Sequence, residues 1–259
     1  MSAGIGSLIC PPKCISCGKL LEFRGFGEEA PALCGDCEGQ WNSERLDTCG
    51  VCGLAISECA CMPEELRKSK CAALRKCVYY LHGKRDAVQN RIIYGIKNHP
   101  SKRAMEFLAS QLAKSMEALF SANGVQKERA VLVYLPRGYK AYAESGTDQG
   151  KQLALALSKE TGIPVVPAIK RRMWRGKPQK KLNFRQRKAN ATATYRCRRG
   201  ISLEGKTAFL VDDIVTTGAT MAAGTRILRS MGAQAVYAVA IALDDVQKSV
   251  GMKQPTFRI

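Results

Sequence analysis

The chain has 259 residues, 46% hydrophobic and 24% charged, proportions that exclude pervasive disorder and collagen-like repeats. Lys and Arg number 41 against 22 Asp and Glu, a formal net charge of +19, so a polyanion would be drawn to it: nucleic acid, an anionic membrane surface or a phosphorylated small molecule. No run reaches the roughly 18 apolar residues that read as a membrane span, and residues 1–10 lack the basic and apolar regions of a secretory signal, so a cytoplasmic location is expected.

Eleven of the 12 cysteines fall within residues 10–77, and the last is Cys197. A reducing compartment disfavours disulfides, and the spacing fits metal better. Cys14-x2-Cys17 and Cys34-x2-Cys37 form one set; Cys49-x2-Cys52 and Cys59-x-Cys61 form a tighter second set. A CxxC turn aims two sulfurs at one ion, and two such turns complete a tetrahedral tetrathiolate Zn²⁺ site with Zn–S near roughly 2.3 Å. One or two structural zincs are therefore expected, with an iron–sulfur cluster or a redox CxxC pair as competing readings and exchange of ligands between the sets left open. Cys10, Cys71, Cys77 and Cys197 read as small buried hydrophobes or bystanders. Few long apolar stretches occur in residues 1–70, so metal would supply most of the folding free energy of this module.

Further along, Glu64–Lys70 reads as a polar linker, Cys77–Leu81 as a short strand, and His82-Gly83 as a turn. Residues Asp86–Lys97 carry Val88, Ile92, Ile93 and Ile96 at helical spacing. Ser101 is placed to cap a longer helix whose inner face is Met105, Leu108, Leu112, Met116 and Leu119. Ala130–Leu135 is a strand stopped by Pro136. Gln149–Glu160 is a helix facing inward through Leu153, Leu155, Ala156 and Leu157. Strands follow at Ile163–Ile169, Thr207–Val211 and Ala235–Leu243, with a helix over Thr220–Met231. Strands alternating with helices predict an α/β fold: a mostly parallel sheet with helices on both faces. Three segments result: a cysteine-rich metal module (1–70), the α/β domain (71–245) and a C-terminal tail (246–259).

The most informative segment is Phe209-Leu-Val-Asp-Asp-Ile-Val-Thr-Thr-Gly-Ala-Thr220. An apolar strand ends in two carboxylates, and small or hydroxylated residues then open a helix. Thr216, Thr217, Gly218, Ala219 and Thr220 can offer backbone N–H groups at a helix N-terminus, whose partial positive charge favours a phosphate. Asp212 and Asp213 would repel a bare phosphate but accept hydrogen bonds from vicinal hydroxyls, which favours a sugar phosphate.

This segment resembles the phosphoribosyl pyrophosphate (PRPP) motif of type I phosphoribosyltransferases, matched at Ala208 to Gly218 and at Thr220. Joined to the cysteine knuckles, it is similar to the ComF (GntX-like) family of bacterial competence-type proteins over about Cys14 to Leu243. Further likenesses are Val78-Tyr-Tyr with Ile93-x-x-Ile-Lys97, Leu135-Pro136-Arg137 with Asp148-Gln149, and Arg171-Arg172 with Pro178-Gln179, Leu182, Arg187 and Asn190. Where many relatives carry Arg-Gly-Phe-Asn-Gln, this chain has Glu144-Ser-Gly-Thr-Asp-Gln149. The resemblance implies a type I phosphoribosyltransferase-like fold. It implies PRPP with Mg²⁺, the 5-phosphate at Thr216–Thr220, and Asp212 and Asp213 on the ribose hydroxyls. It also implies Arg137 at the pyrophosphate, an acceptor base that no residue identifies, and a link to DNA uptake and competence-machinery proteins.

From Lys170 to Arg199 there are 13 Lys or Arg and no Asp or Glu, with Trp174, Phe184 and Tyr195 interleaved. Three readings stand together: a segment that closes over the pyrophosphate, a surface for single-stranded DNA, or a solvated basic face. Lys140 is a weaker candidate for pyrophosphate contact. His82 and His99, the two histidines, read as surface or turn residues. A zinc-dependent regulator docked on duplex DNA is disfavoured, because no recognition helix is evident near the knuckles.

Overall fold

The computed structural model describes residues 11–21, 30–98, 101–122, 124–139, 142–143, 146–172, 194–244 and 252–253. Cys10, His99, Lys140, Glu144, Trp174, Phe184 and the motif positions between 178 and 190 lie outside the described residues.

The centre is a four-stranded parallel sheet: β2 (Leu74–Tyr80), β7 (Ala235–Asp244), β6 (Thr207–Val215) and β3 (Ala130–Tyr134), in that spatial order. These runs are nearly continuous in apolar residues because both faces are covered. Alternation sorts them into two cores. Leu132, Phe209, Val211, Tyr237, Val239 and Ile241 face one core. Val131, Val133, Ala208, Leu210, Val236, Ala238 and Ala240 face the other.

The first core is covered by α3 (Val88–Asn98), α4 (Lys102–Ala122) and α5 (Gln149–Thr161). The α3 residues Val88, Ile92, Ile93 and Ile96 are buried, and so are all five expected inner-face positions of α4. Ser101 caps α4: its Oγ accepts from the Ala104 N–H at 3.1 Å. The second core is covered by α6 (Ala219–Ser230) and by α2 (Glu64–Lys68).

Four local readings change. The linker at Glu64–Lys70 contains α2, stiffened by the Arg67–Glu64 pair at 2.8 Å and anchored by fully buried Leu66. The expected strand at Ile163–Ile169 is broken: Pro164 and Pro167 remove two backbone donors, leaving a single bridge from Val165 to Leu132. Only β4 (Ile169–Arg171) follows, paired antiparallel with β5 (Tyr195–Cys197). Leu155 is 45% exposed, whereas its neighbours Leu153, Ala154 and Leu157 are buried in α5. Near the knuckles there is a helix after all, α1 (Gly35–Leu46), but it carries Asp36, Glu38 and Glu44 and turns Trp41 into the core, so it presents no basic reading face. Among the described residues, no helix is long and apolar enough to cross a membrane.

Candidate functional site

A cavity of about 300 Å³ opens at the carboxyl ends of β3 and β6. Strand β3 stops at Tyr134, paired with Val211, because Pro136 cannot continue a ladder. Strand β6 runs on to Val215 beside β7 alone. Asp212 and Asp213 therefore sit where β6 has just lost one neighbour, and both line the cavity. The chain leaves β3 through α5 on one face and leaves the neighbouring β6 through α6 on the other. This is the switch in helix coverage at which open α/β sheets bind ligands.

The two acids meet several cations across this space. Lys97, at the end of α3, holds Asp213 at 3.6 Å. Arg137 and Arg171 line the same wall with Tyr195, whose ring lies 5.6 Å from the Arg171 guanidinium carbon. Burial, and then the adjacent Asp213, push the Asp212 carboxyl well above the usual carboxylate range. The site thus holds a proton or calls for a cation when it is empty of substrate.

Arg137 is placed by two neighbours. Asp148 caps α5 through the Lys151 N–H at 3.1 Å, and its other oxygen accepts from the Arg137 N–H at 3.0 Å. The buried Gln149 amide accepts from the Arg137 guanidinium and donates to the carbonyls of Ile96 and Lys97 at 3.4 and 3.3 Å. Gln149 so ties the end of α3, and with it Lys97, to Arg137. The sequence named Gln149 only as part of a resembling segment; a glutamine opening a helix gives no sign of a buried bridge.

The Thr216–Thr220 corner follows the acids but does not line this cavity. Gly218 has φ +76°, and α6 begins at the next residue. Thr216 and Thr220 are exposed, and Gly218 and Ala219 are buried. The first N–H groups of α6 lack intrahelical partners, as at any helix start, although the Ala219 N–H reaches Thr217 Oγ1 at 3.4 Å. The close approach at Gly218 is made by the chain itself. A methyl built there would lie 3.2 Å from the Cβ atoms of both Pro63 and Leu66.

The cysteines gather as their spacing predicts: Cys14, Cys17, Cys34 and Cys37 in one group, Cys49, Cys52, Cys59 and Cys61 in another, with the ligand atoms of each group within 4.8 Å of one another. The Cys17 and Cys34 sulfurs are 3.7 Å apart. That is the edge of a tetrahedron of sulfurs around an ion about 2.3 Å from each, so the donor set fits zinc in number, chemistry and scale. Within the first group, burial opposes ionisation of Cys14 but backbone N–H groups, beginning with that of Cys17, bring it down to about 6. In the second group, the hydrogen bond from the Cys61 thiol, helped by Lys76, brings Cys59 to about 4, and Cys61 is raised as the proton-bearing partner. Both groups could hold a metal ion. Cys71 and Cys77 are fully buried apart from them, and Cys197 is exposed on β5.

Comparison with known proteins agrees with the α/β half. Residues 145–255, under half of the chain, match the family described as the phosphoribosyl transferase domain. A 38-residue stretch is 58% identical to ribose-phosphate pyrophosphokinase of Nostoc sp., covering 15% of this chain and 12% of that protein. The same enzyme of Synechocystis sp. is 53% identical over 38 residues, covering 15% and 11%. The chain thus spans only about a tenth of the length of the curated relatives it matches. Among solved structures, a hypoxanthine phosphoribosyltransferase from Staphylococcus aureus is similar at TM-score 0.35 and 14% identity, covering 57% of this chain and 70% of that one. An adenine phosphoribosyltransferase from Leishmania tarentolae is similar at TM-score 0.32 and 14% identity, covering 57% and 75%.

Proposed function

We propose that the chain is a ComF-like phosphoribosyltransferase-family protein that binds PRPP and passes its phosphoribosyl group to an acceptor base. The observation that carries this is the cavity at the end of β6, where Asp212 and Asp213 face Lys97, Arg137 and Arg171. Vicinal ribose hydroxyls suit the acids, a pyrophosphate suits the cations, and the start of α6 suits the 5-phosphate. Asp212 and Asp213 orient the ribose, Arg137 meets the leaving pyrophosphate, and Thr216–Thr220 anchors the far end. Mg²⁺, when bound, neutralises charge on the leaving group. The cysteine groups in residues 1–70 carry structural zinc, residues 71–245 carry the transfer site, the protein works in the cytoplasm, and the family likeness supports a role in DNA uptake.

The test is calorimetric titration of PRPP with Mg²⁺ into the native chain and into Asp212→Asn/Asp213→Asn. Binding by the native chain and its loss by at least tenfold in the double variant is expected; equal affinities would remove the assignment. A second reading is an accessory factor that binds PRPP and single-stranded DNA without turnover. It is favoured by the exposed Arg196, Arg198 and Arg199 beside the cavity-lining Tyr195. Pyrophosphate release dependent on a base separates the two, as does single-strand affinity that falls steeply with salt.

A further inference from the structure

We infer that the second cysteine group is a clamp on the phosphate corner: when it holds its metal, it fixes the strap from Cys61 to Leu66 against Gly218. The first cysteine group has no such part. This rests on the proposed role of Thr216–Thr220 and names what controls it.

Three observations converge. The strap leaves the second group directly, through Met62 and Pro63 (β1) and α2, and is fully buried at Met62 and Leu66. It ends against the corner: a methyl on Gly218 would meet the Cβ atoms of Pro63 and Leu66 at 3.2 Å and the Leu66 nitrogen at 3.5 Å. The cysteine end is tied to the sheet by Lys76 of β2. This side chain is fully buried, and its ammonium donates to Cys59 Sγ, Cys59 O and Cys61 O, each at 3.2 Å. An ammonium has three donors, and here all three are used. A buried cation is costly unless paired. Four thiolates around a divalent ion leave a net double negative charge beside it, so Lys76 is compensated when the metal is in place. Without the metal the four sulfurs are no longer drawn to one centre, and the Cys59–Cys61 turn that carries the strap is held by the Lys76 contacts alone and loosens. Lys76 is thus a positioning residue that acts through the cysteine group.

The experiment compares the zinc-loaded native chain with Cys52→Ser, Cys17→Ser and Leu66→Ala. Zinc is counted per chain, ribose 5-phosphate and PRPP with Mg²⁺ are titrated, and amide hydrogen exchange is followed across residues 216–222. Cys52→Ser and Cys17→Ser are each expected to lose about one zinc. Only Cys52→Ser should weaken sugar-phosphate binding, by at least tenfold, and raise exchange at 216–222. Leu66→Ala should keep its zinc yet show the same two changes, and it covers the case in which Cys52→Ser does not fold. Lys76→Met is expected to release its second zinc to a chelator at least tenfold faster, while the first is released at the native rate. Unchanged exchange at 216–222 in Cys52→Ser and Leu66→Ala would overturn the clamp, as would equal changes in Cys17→Ser. If exchange responds as expected but no variant and no native chain binds the sugar phosphates, the clamp stands and the proposed function falls.

Discussion

At Cys14 and at Cys49 the chain makes the same turn. The cysteine N–H bonds a carbonyl five residues on (Lys19 and Leu54, both at 2.8 Å), and Gly18 and Gly53 close the knuckle at φ +75° and +74°. From there the groups diverge. The first is completed at a helix start, with Cys34 preceding α1 and Cys37 in its first turn, where burial pushes the Cys37 thiol up to about 12. It joins the core beneath α3, α4 and α5, where Arg91 of α3 donates to Cys37 Sγ at 3.5 Å. The second is completed by Cys59-x-Cys61 and joins the opposite core beneath α6, where Lys76 replaces Arg91. Similar knuckles therefore serve different faces of one sheet, and among the described residues only one of those faces carries the Thr216–Thr220 corner. What the second half of a cysteine site is attached to decides what the metal can influence.

The largest effect tests what the groups share. Structural zinc sites contribute roughly 10–16 kcal/mol of apparent binding free energy, comparable to the roughly 5–15 kcal/mol stability of a whole domain. Stripping the zinc-loaded chain with a strong chelator should abolish its cooperative thermal transition by circular dichroism. An unchanged melt would show that neither group is a metal centre.

Next in size is a matched pair of cavities. Leu33 lies beside Cys34 in the first core and Leu66 follows Cys61 in the second, both buried. Leu33→Ala and Leu66→Ala should each cost about 2–5 kcal/mol in urea unfolding. If the faces differ as described, only Leu66→Ala also weakens PRPP binding; parallel losses of affinity would erase the distinction.

How much of this was written in the sequence depends on how local the cause is. Helix α4 was legible because Met105, Leu108, Leu112, Met116 and Leu119 repeat at helical spacing and Ser101 stands at its start. The cysteine groups were legible because a chelate's geometry is short-range. The β6 acids were legible because two carboxylates after an apolar run are out of place in a core. The strap was not legible. Glu64–Lys70 is polar by composition, and Leu66 alone cannot announce that a glycine about 150 residues away leaves room for it. Lys76 was hidden for the same reason: a lysine within a strand reads as solvent-facing until Cys59 and Cys61 are folded over it. Leu155 was misjudged, because helical period fixes a face but not how wide the covered stripe is.

A smaller effect concerns the acid at the seam between the two faces. The folded carboxyl of Asp212 is raised above its unfolded value. Its stabilising contribution is present at low pH, where the group is protonated, and is lost as pH rises through the folded value. At neutral pH the group therefore costs the fold stability relative to low pH. Asp212→Asn is therefore expected to raise the neutral-pH stability of the ligand-free protein by about 1 kcal/mol, with the gain shrinking as pH falls toward about 4, the unfolded carboxyl value. The same change should abolish PRPP binding, an opposition of stability and function that is expected at a ligand site and absent from either metal group.

The smallest effect probes the face that the phosphate corner does not touch. Helix α4 covers the first core, and its start is fixed by Ser101 Oγ accepting from the Ala104 N–H while the Ser101 carbonyl accepts from the Met105 N–H at 3.1 Å. Ser101→Ala removes the side-chain acceptor but keeps the carbonyl, so one orphan N–H is left to water. The expected cost is about 1 kcal/mol in urea unfolding, and Ser101→Asp, whose carboxylate can also cap, should restore most of it. Neither variant should alter exchange at residues 216–222 or lower PRPP affinity as Leu66→Ala does, because α4 covers the first core and Ser101, four residues beyond Lys97, does not itself line the cavity. If Ser101→Ala weakens ligand binding as much as Leu66→Ala does, any loss of stability reaches the phosphate corner. The asymmetry between the two cysteine groups would then be one of position alone.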